Sequence, residues 1–244
     1  MTRLVAIVPI ALLIAAAPRQ PDSTRLVWPP APDTPRVEYL EEIRCDELDR
    51  EAGFFGKVKR FLGGAAPDEK LALPFDVLVQ GRTLYMTCRN LPALVAVDLD
   101  AMSYRLYDCD DDPLACPIAV SGDGSAVFVT DSEARAVYRL SGDRLEALIT
   151  EGLSRPTGIA VLSGPKRLYV VDTGDHTLKI FDYDGDLIRT VGGHGGPSEG
   201  LNYPTFAAEA GGDALLINDA LNYRVKRFDA DGGLIAMFGE EGDG

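Results

Sequence analysis

From Pro74 onward, short apolar runs alternate with turn residues in a pattern that recurs four times. Each unit opens on a proline followed by a largely apolar run. These openings are Pro74-Phe75-Asp76-Val77-Leu78-Val79, Pro117-Ile118-Ala119-Val120, Pro156-Thr157-Gly158-Ile159-Ala160-Val161 and Pro204-Thr205-Phe206-Ala207-Ala208. A second apolar run follows in each unit and ends at Cys88, Asp131, Asp172 or Asp219. Ten residues beyond each of those marks stands a turn residue, Asp98, Ser141, Asp182 or Asp229, preceded by a third alternating or apolar segment. A fourth segment closes each unit, over 104–107, 145–149, 187–191 and 234–238. Asp184-Gly185, Asp231-Gly232 and Ser141-Gly142-Asp143 are hairpin turns by composition. Runs this short and this punctuated are strands, not helices. Each unit is therefore a predicted four-stranded sheet, with units at 74–110, 117–150, 156–192 and 204–239.

A lone four-stranded sheet leaves both faces wet. Sheets set side by side around an axis cover each other, which is the physical reason for such a repeat. The Pro-led strands are apolar on both sides because both sides would meet neighbours. The predicted fold is an all-β propeller whose blades are these units.

Ahead of Pro74 the pattern changes. Arg3 precedes an apolar run, Leu4 to Ala17, broken only by Pro9. A basic start, an apolar stretch and small residues are the order of a secretory signal, so residues 1–17 are expected to direct export to the periplasm or beyond. Fourteen helical residues would span about 21 Å against a hydrocarbon core of roughly 30 Å, which disfavours a transmembrane anchor. Pro18 hinders cleavage directly after Ala17, and cutting after Ala16 avoids it. An uncleaved signal anchor is the alternative. Residues 18–35 hold six of the sixteen prolines and the single Trp28, and are expected to be a stiff, extended linker. Over 36–43 a strand is expected, closing the outside of a blade. In 54–62, Phe54, Phe55, Val58, Phe61 and Leu62 share one helical face, away from Lys57, Lys59 and Arg60. Such a short amphipathic helix suits packing on the β domain; a peripheral membrane contact is the other reading.

Composition narrows the function. The chain has 244 residues, 46% hydrophobic and 25% charged, which excludes full-length disorder. Its formal charge of −14 argues against nucleic acid as a partner, because phosphate binding needs clustered Lys and Arg. Export would permit disulfides among Cys45, Cys88, Cys109 and Cys116. Three complete pairings are open; Cys109 and Cys116, flanking Asp110-Asp111-Asp112-Pro113, are the nearest pair and a candidate bridge. No Cys or His spacing resembles a zinc cluster.

The stretch Asp172-Thr173-Gly174-Asp175-His176-Thr177-Leu178-Lys179-Ile180-Phe181-Asp182 resembles the NHL-repeat family of β-propellers. Asn222-Tyr223-Arg224-Val225-Lys226-Arg227-Phe228-Asp229 resembles a second copy. Val191-Gly192-Gly193-His194-Gly195-Gly196 and Phe238-Gly239-Glu240-Glu241-Gly242 resemble that family's glycine-rich crossings between blades. Leu26-Val27-Trp28-Pro29-Pro30, with Arg36-Val37-Glu38-Tyr39-Leu40, resembles the leader of exported bacterial members. Two departures stand out: Cys88 replaces the strand-end Asp in the first unit, and the second lacks the Phe-Asp ending. The resemblance implies six blades where four units are visible. A chain lacking about two blades is therefore expected, with a compact four-bladed ring as the rival.

In a propeller the turns between second and third strands and the crossings between blades emerge on one face. Asp131, Asp172 and Asp219 are thus expected to ring that face, with Cys88 in the matching place and His176 and His194 nearby. Asp172, Asp219, His176 and His194 form a candidate Ca²⁺ or Zn²⁺ set. The competing reading gives each repeated Asp, and likewise Asp182 and Asp229, a local role as acceptor for backbone N–H groups in its own turn. The resemblance also implies metal-dependent lactonases and lyases, but these need several converging histidines and the chain has two. No GxSxG, HExxH or phosphate-cradling loop is present. The expected function is an exported, non-catalytic scaffold for a protein or glycan, with a metal-dependent hydrolase, lactonase or lyase as the alternative.

Overall fold

The computed structural model describes residues 27–29, 34, 37–38, 42–44, 48–50, 71, 73–109, 114–196, 198, 200–240 and 242. The expected signal segment at 1–17 and the helix over 54–62 lie outside the described residues. Two compact units are present, Met1–Glu47 and Leu48–Gly244. In the first, β1 (Val27–Trp28) and β2 (Val37–Glu38) pair antiparallel, with Val27 opposite Glu38. The strand expected over 36–43 is thus, as far as it is described, paired with β1 and not with a blade. Pairing across so short a separation costs little loop entropy. The strand that does border a blade is β3 (Asp49–Arg50).

The second unit is all-β, with four blades in a propeller arrangement. Blade 1 consists of β4 (Pro74–Gln80), β5 (Thr83–Cys88), β6 (Leu94–Asp98) and β7 (Ser103–Tyr107), and β3 adds a fifth strand parallel to β7. Blade 2 is β8 (Pro117–Gly122), β9 (Val127–Asp131), β10 (Ala136–Ser141) and β11 (Arg144–Ile149). Blade 3 is β12 (Pro156–Leu162), β13 (Arg167–Asp172), β14 (Thr177–Asp182) and β15 (Leu187–Gly192). Blade 4 is β16 (Pro204–Glu209), β17 (Ala214–Asp219), β18 (Arg224–Asp229) and β19 (Leu234–Phe238). Within each blade the strands follow chain order and run antiparallel, as the spacing predicts. A one-turn 3-10 segment, Ala220–Asn222, joins β17 to β18.

Strand alternation divides each blade between two cores. In blade 3, Leu168, Val170 and Phe181 pack with Phe128 and Val137 of blade 2, whereas Tyr169, Val171 and Ile180 pack with Leu215, Ile217 and Phe228 of blade 4. Leu94 of blade 1 meets Val120, Val129 and Tyr138 of blade 2 in a third core. The opposite face of blade 1 is covered by Leu48 and Leu71, which pack on Met86, Cys88, Val95 and Val97. Each large side chain buried this way contributes about 1.5–3 kcal/mol. Hydroxyls stitch blade to blade: Ser132 Oγ donates to the Pro156 carbonyl at 2.5 Å, and Thr173 Oγ1, at the same repeat position, donates to the Pro204 carbonyl at 2.5 Å. The inner strands β4 and β16 meet at Phe75 and Phe206, whose rings stack with centroids 5.9 Å apart.

The hairpin turn of one blade also overlies the outer strand of the blade before it. This close approach requires glycine: a Cβ on Gly185 would sit 2.9 Å from the Leu148 carbonyl oxygen, and one on Gly232 would sit 2.5 Å from Val191 Cγ2. Both residues also have positive φ, 91° and 82°.

Cys88, Cys109 and Cys116 are free thiols, so the expected Cys109–Cys116 bridge is not formed. Each belongs to a different core. Cys109 is buried with Leu94 and Leu145 between blades 1 and 2, while Cys116 packs on the core between blades 2 and 3. Burial pushes the Cys116 thiol pKa up, with Asp131 and Glu133 adding to the effect. Cys45 lies outside the described residues.

Candidate functional site

The repeated acids at the ends of the second strands are fully buried and tie two loops together. Asp131 accepts the N–H groups of Ala115 and Cys116 in the crossing at 2.7 and 2.8 Å, and those of Glu133 and Ala134 in the turn at 3.0 and 2.9 Å. Asp172 accepts Ser154 and Arg155 N–H at 2.8 and 2.7 Å. Asp219 accepts Asn202 N–H at 2.6 Å and the Asn222 side-chain amide at 2.8 Å. The carboxylates thus bring crossing and second turn to one end of the blades, here termed the crossing face.

In blades 3 and 4 a lysine completes the arrangement. Lys179 Nζ lies 2.7 Å from Asp172, 2.5 Å from Asp175 and 2.6 Å from the Gly152 carbonyl. Lys226 Nζ lies 2.9 Å from Asp219 and donates to the Gly200 carbonyl. Burial opposes the charges on Asp172 and Lys179. Their mutual hydrogen bond, with backbone N–H groups on Asp172, outweighs it and holds the Asp172 pKa below, and the Lys179 pKa above, the ordinary value. The same two repeat positions in blade 1 hold Cys88 and Val95, both fully buried. In blade 2 they hold Asp131 and Tyr138, the acid there taking four backbone donors. Each buried acid is thus compensated, by a lysine in blades 3 and 4 and by four backbone donors in blade 2, as the cost of an unpaired buried ion demands.

At the opposite end, Asp182 caps its turn through the N–H groups of Asp184 and Asp186, at 3.0 and 2.9 Å. Asp229 does the same for Asp231 and Gly233, at 2.9 and 2.7 Å. Asp123 nearby is opposed by burial, but hydrogen bonds from Ser125 and Tyr183 bring its pKa down to about 2.

The expected cation set is divided. The oxygens of Asp172 and Asp219 are taken up by N–H groups and ammonium ions. His176 and His194 do come together, with ring centroids 4.8 Å apart and planes at 89°. His176 Nδ1 accepts the Tyr203 N–H at 3.0 Å. Among the described residues no three His, Cys, Asp or Glu side chains converge as a metal site. The carboxylates of the expected set are thus already satisfied within the fold, which leaves the two histidines as its remaining donors.

What the crossing face presents instead is aromatic. Tyr203 stacks edge-on to His176, with centroids 4.5 Å apart, and is 43% exposed. Tyr223 is 58% exposed. The two loops are knitted by Leu221 N–H donating to the Asn202 carbonyl at 3.0 Å and by Asn222 Nδ2 donating to the Gly195 carbonyl at 3.2 Å. His176, Tyr203 and Tyr223 all have positive φ, 59°, 48° and 55°. Arg135, at the repeat position of His176 and Tyr223, and Leu73, at that of Tyr203, have φ of 55° as well, so this backbone geometry belongs to the repeat. Nearer the axis, the Arg89 guanidinium lies 5.8 Å from the Phe75 ring centroid, beside the Phe75–Phe206 stack. Sequence reasoning missed Tyr203, Tyr223, Phe75, Phe206 and Arg89. The repeat alignment held a usable clue for Tyr203: the residue before the opening proline is Leu73, Cys116, Arg155 and then Tyr203.

No protein-family model matches the sequence, and no curated protein matches it. Solved structures do match in fold. One is virginiamycin B lyase from Staphylococcus aureus, a catalytically inactive H270A form with quinupristin: TM-score 0.58, 16% identity, covering 74% of this chain and 59% of that one. A streptogramin B lyase structure gives TM-score 0.57 and 14% identity, covering 70% of this chain and 56% of that one. Kuenenia stuttgartiensis hydrazine synthase gives TM-score 0.54 and 18% identity, covering 71% and 51%. The chain thus spans less than two thirds of the length of these proteins. At these identities the likeness is one of fold, and the fold is a β-propeller.

Proposed function

We propose that this chain is an exported, NHL-type β-propeller scaffold that binds a protein or glycan partner at the cell envelope without catalysis. The observation that carries this reading is the ring contact of half-buried His176 with exposed His194 and Tyr203 on the crossing face, where Tyr223 is exposed as well. Exposed aromatic rings on rigid loops offer large contact area at little entropic cost. The repeated acids are meanwhile committed to holding those loops in place. The test is binding of the purified chain to a glycan array and to envelope proteins in high salt. Retention of one ligand class, weakened at least tenfold in Tyr203→Ala/Tyr223→Ala with the circular dichroism unchanged, supports the proposal. Retention indifferent to both substitutions overturns it.

The second reading, a metal-dependent hydrolase, lactonase or lyase, draws on the fold likeness to two lyase structures and on the proximity of His176 and His194. Stoichiometric Ca²⁺ or Zn²⁺ in the purified protein, together with turnover of lactone or ester substrates lost in His176→Ala, would establish it in place of the first.

A further inference from the structure

The chain carries 38 acids against 24 bases, so carboxylates are plentiful enough to meet every arginine. Away from the crossing face they do. Arg82 pairs with Asp100 at 2.7 Å, Arg105 with Asp143 at 3.2 Å, Arg144 with Glu146 at 3.1 Å and Arg167 with Asp231 at 2.7 Å. On the crossing face Arg89, Arg135 and Arg155 are exposed, and among the described residues none of them has an ion pair. Glu133 is exposed two residues from Arg135 and forms no ion pair there either.

Arg135 and Arg155 stand at the junction of blades 2 and 3, at the repeat positions that His176 and Tyr203 hold between blades 3 and 4. In that next junction the two positions touch: the rings lie 4.5 Å apart and the Tyr203 N–H reaches His176 Nδ1 at 3.0 Å. The loops around Arg135 and Arg155 are joined in the same way, with Ser132 Oγ on the Pro156 carbonyl as Thr173 Oγ1 is on that of Pro204. Arg135 also shares the positive φ of His176. Two guanidinium groups are thus held on neighbouring positions of one face with no carboxylate bonded to either. Blades 2 and 3 each have a blade on both sides, so this exposure belongs to the repeat itself.

Given the scaffold reading, on which this rests, we propose that the crossing face binds a glycan bearing carboxylates, a uronic-acid polymer. Arg135 and Arg155 bind its carboxylates, and the His176 and Tyr203 rings one junction along pack on its sugars. The planar fork of a guanidinium matches a carboxylate through two parallel hydrogen bonds. An aromatic ring packs on the C–H face of a sugar as on other apolar surface. The formal charge of −14 narrows the class. Nucleic acid carries a charge every ~1.7 Å of its axis, and this face has too few bases to neutralise it. An acidic protein would oppose the whole chain with its own surface. A uronate strand touches only the local patch, and repulsion from charges farther than about 8 Å is screened at physiological salt.

The experiment is calorimetry of the full chain with oligomers of galacturonate, glucuronate and mannuronate, with the same oligomers after reduction of their carboxyl groups, and with polyglutamate. Binding of at least one uronate oligomer, lost on carboxyl reduction, is the expected result. Arg135→Gln/Arg155→Gln should weaken it about tenfold or more, the loss expected of charge-assisted hydrogen bonds, with the circular dichroism unchanged. Arg144→Gln, at an arginine already paired with Glu146, should leave it unaltered. Binding of none of the uronates, equal binding of the reduced oligomers, preference for polyglutamate, or affinity indifferent to the double substitution overturns the proposal. A ligand that depends on Tyr203 but not on the arginines overturns it too, and leaves the scaffold reading standing.

Discussion

Replacing Lys179 with Met keeps most of the side-chain volume and removes the charge. The ammonium is 7% exposed and Asp172 is not exposed at all, so water cannot take over its role. Asp172 would keep the Ser154 and Arg155 N–H groups but lose its only cation. Breaking a buried pair from one side costs about 3–5 kcal/mol, and the two remaining N–H donors place this case near the lower figure, about 3 kcal/mol. The double variant Asp172→Cys/Lys179→Val, copied from Cys88 and Val95 of blade 1, leaves no buried ion. It should cost less, about 1–2 kcal/mol for the two N–H groups released at a loop that water reaches. Urea unfolding followed by circular dichroism measures both. The sign of the pH dependence gives a second check. The Asp172 pKa is lowered in the fold, so its contribution is complete above the ordinary carboxylate value and is lost as pH falls through the lower, folded one. Without Lys179, one of the groups that hold that pKa down is gone, so it rises from its wild-type position and acid costs the variant less. The gap from wild type should therefore narrow below about pH 4. A loss under about 1 kcal/mol at neutral pH, the size of an exposed pair, would refute the reasoning. So would a gap constant from neutral to acid pH, or a double variant less stable than Lys179→Met.

Three other outcomes are expected. Gly232→Ala should destabilise by about 1–3 kcal/mol through overpacking and positive φ, and more than Gly81→Ala, whose Cβ would meet nothing within 4 Å; thermal melts of the two variants decide this. Tyr183→Phe removes the 2.8 Å hydrogen bond to Asp123, so the carboxyl should titrate above about 2 in an NMR titration, and the stability it supplies should be lost at higher pH as the solution is acidified. Thr173→Val removes the bonds to Pro204 and Thr157 and should cost about 1–2 kcal/mol in urea unfolding.

The sequence by itself determined the blades. Strand content, strand order and the turn-capping roles of Asp182 and Asp229 follow from local patterns of two to ten residues, and local patterns act before any tertiary contact forms. The inward role of Asp131, Asp172 and Asp219 was one of two legible readings, because an acid beside a turn looks the same whether its oxygens meet N–H groups or a cation. Only packing decided between them, by burying each carboxylate and, in blades 3 and 4, laying a lysine across it. The cysteines show the same limit. Cys109 and Cys116 are close in the chain, yet successive blade interfaces draw them into separate cores. The partner of β7 was equally hidden, since a two-residue strand carries no periodicity to read. The repeat pattern already placed His176 and His194 on the crossing face; tertiary structure set their rings 4.8 Å apart and added Tyr203 and Tyr223 to that face. Their spacing along the chain reflects the length of a blade, whereas their proximity reflects how one blade's crossing folds back over the next turn.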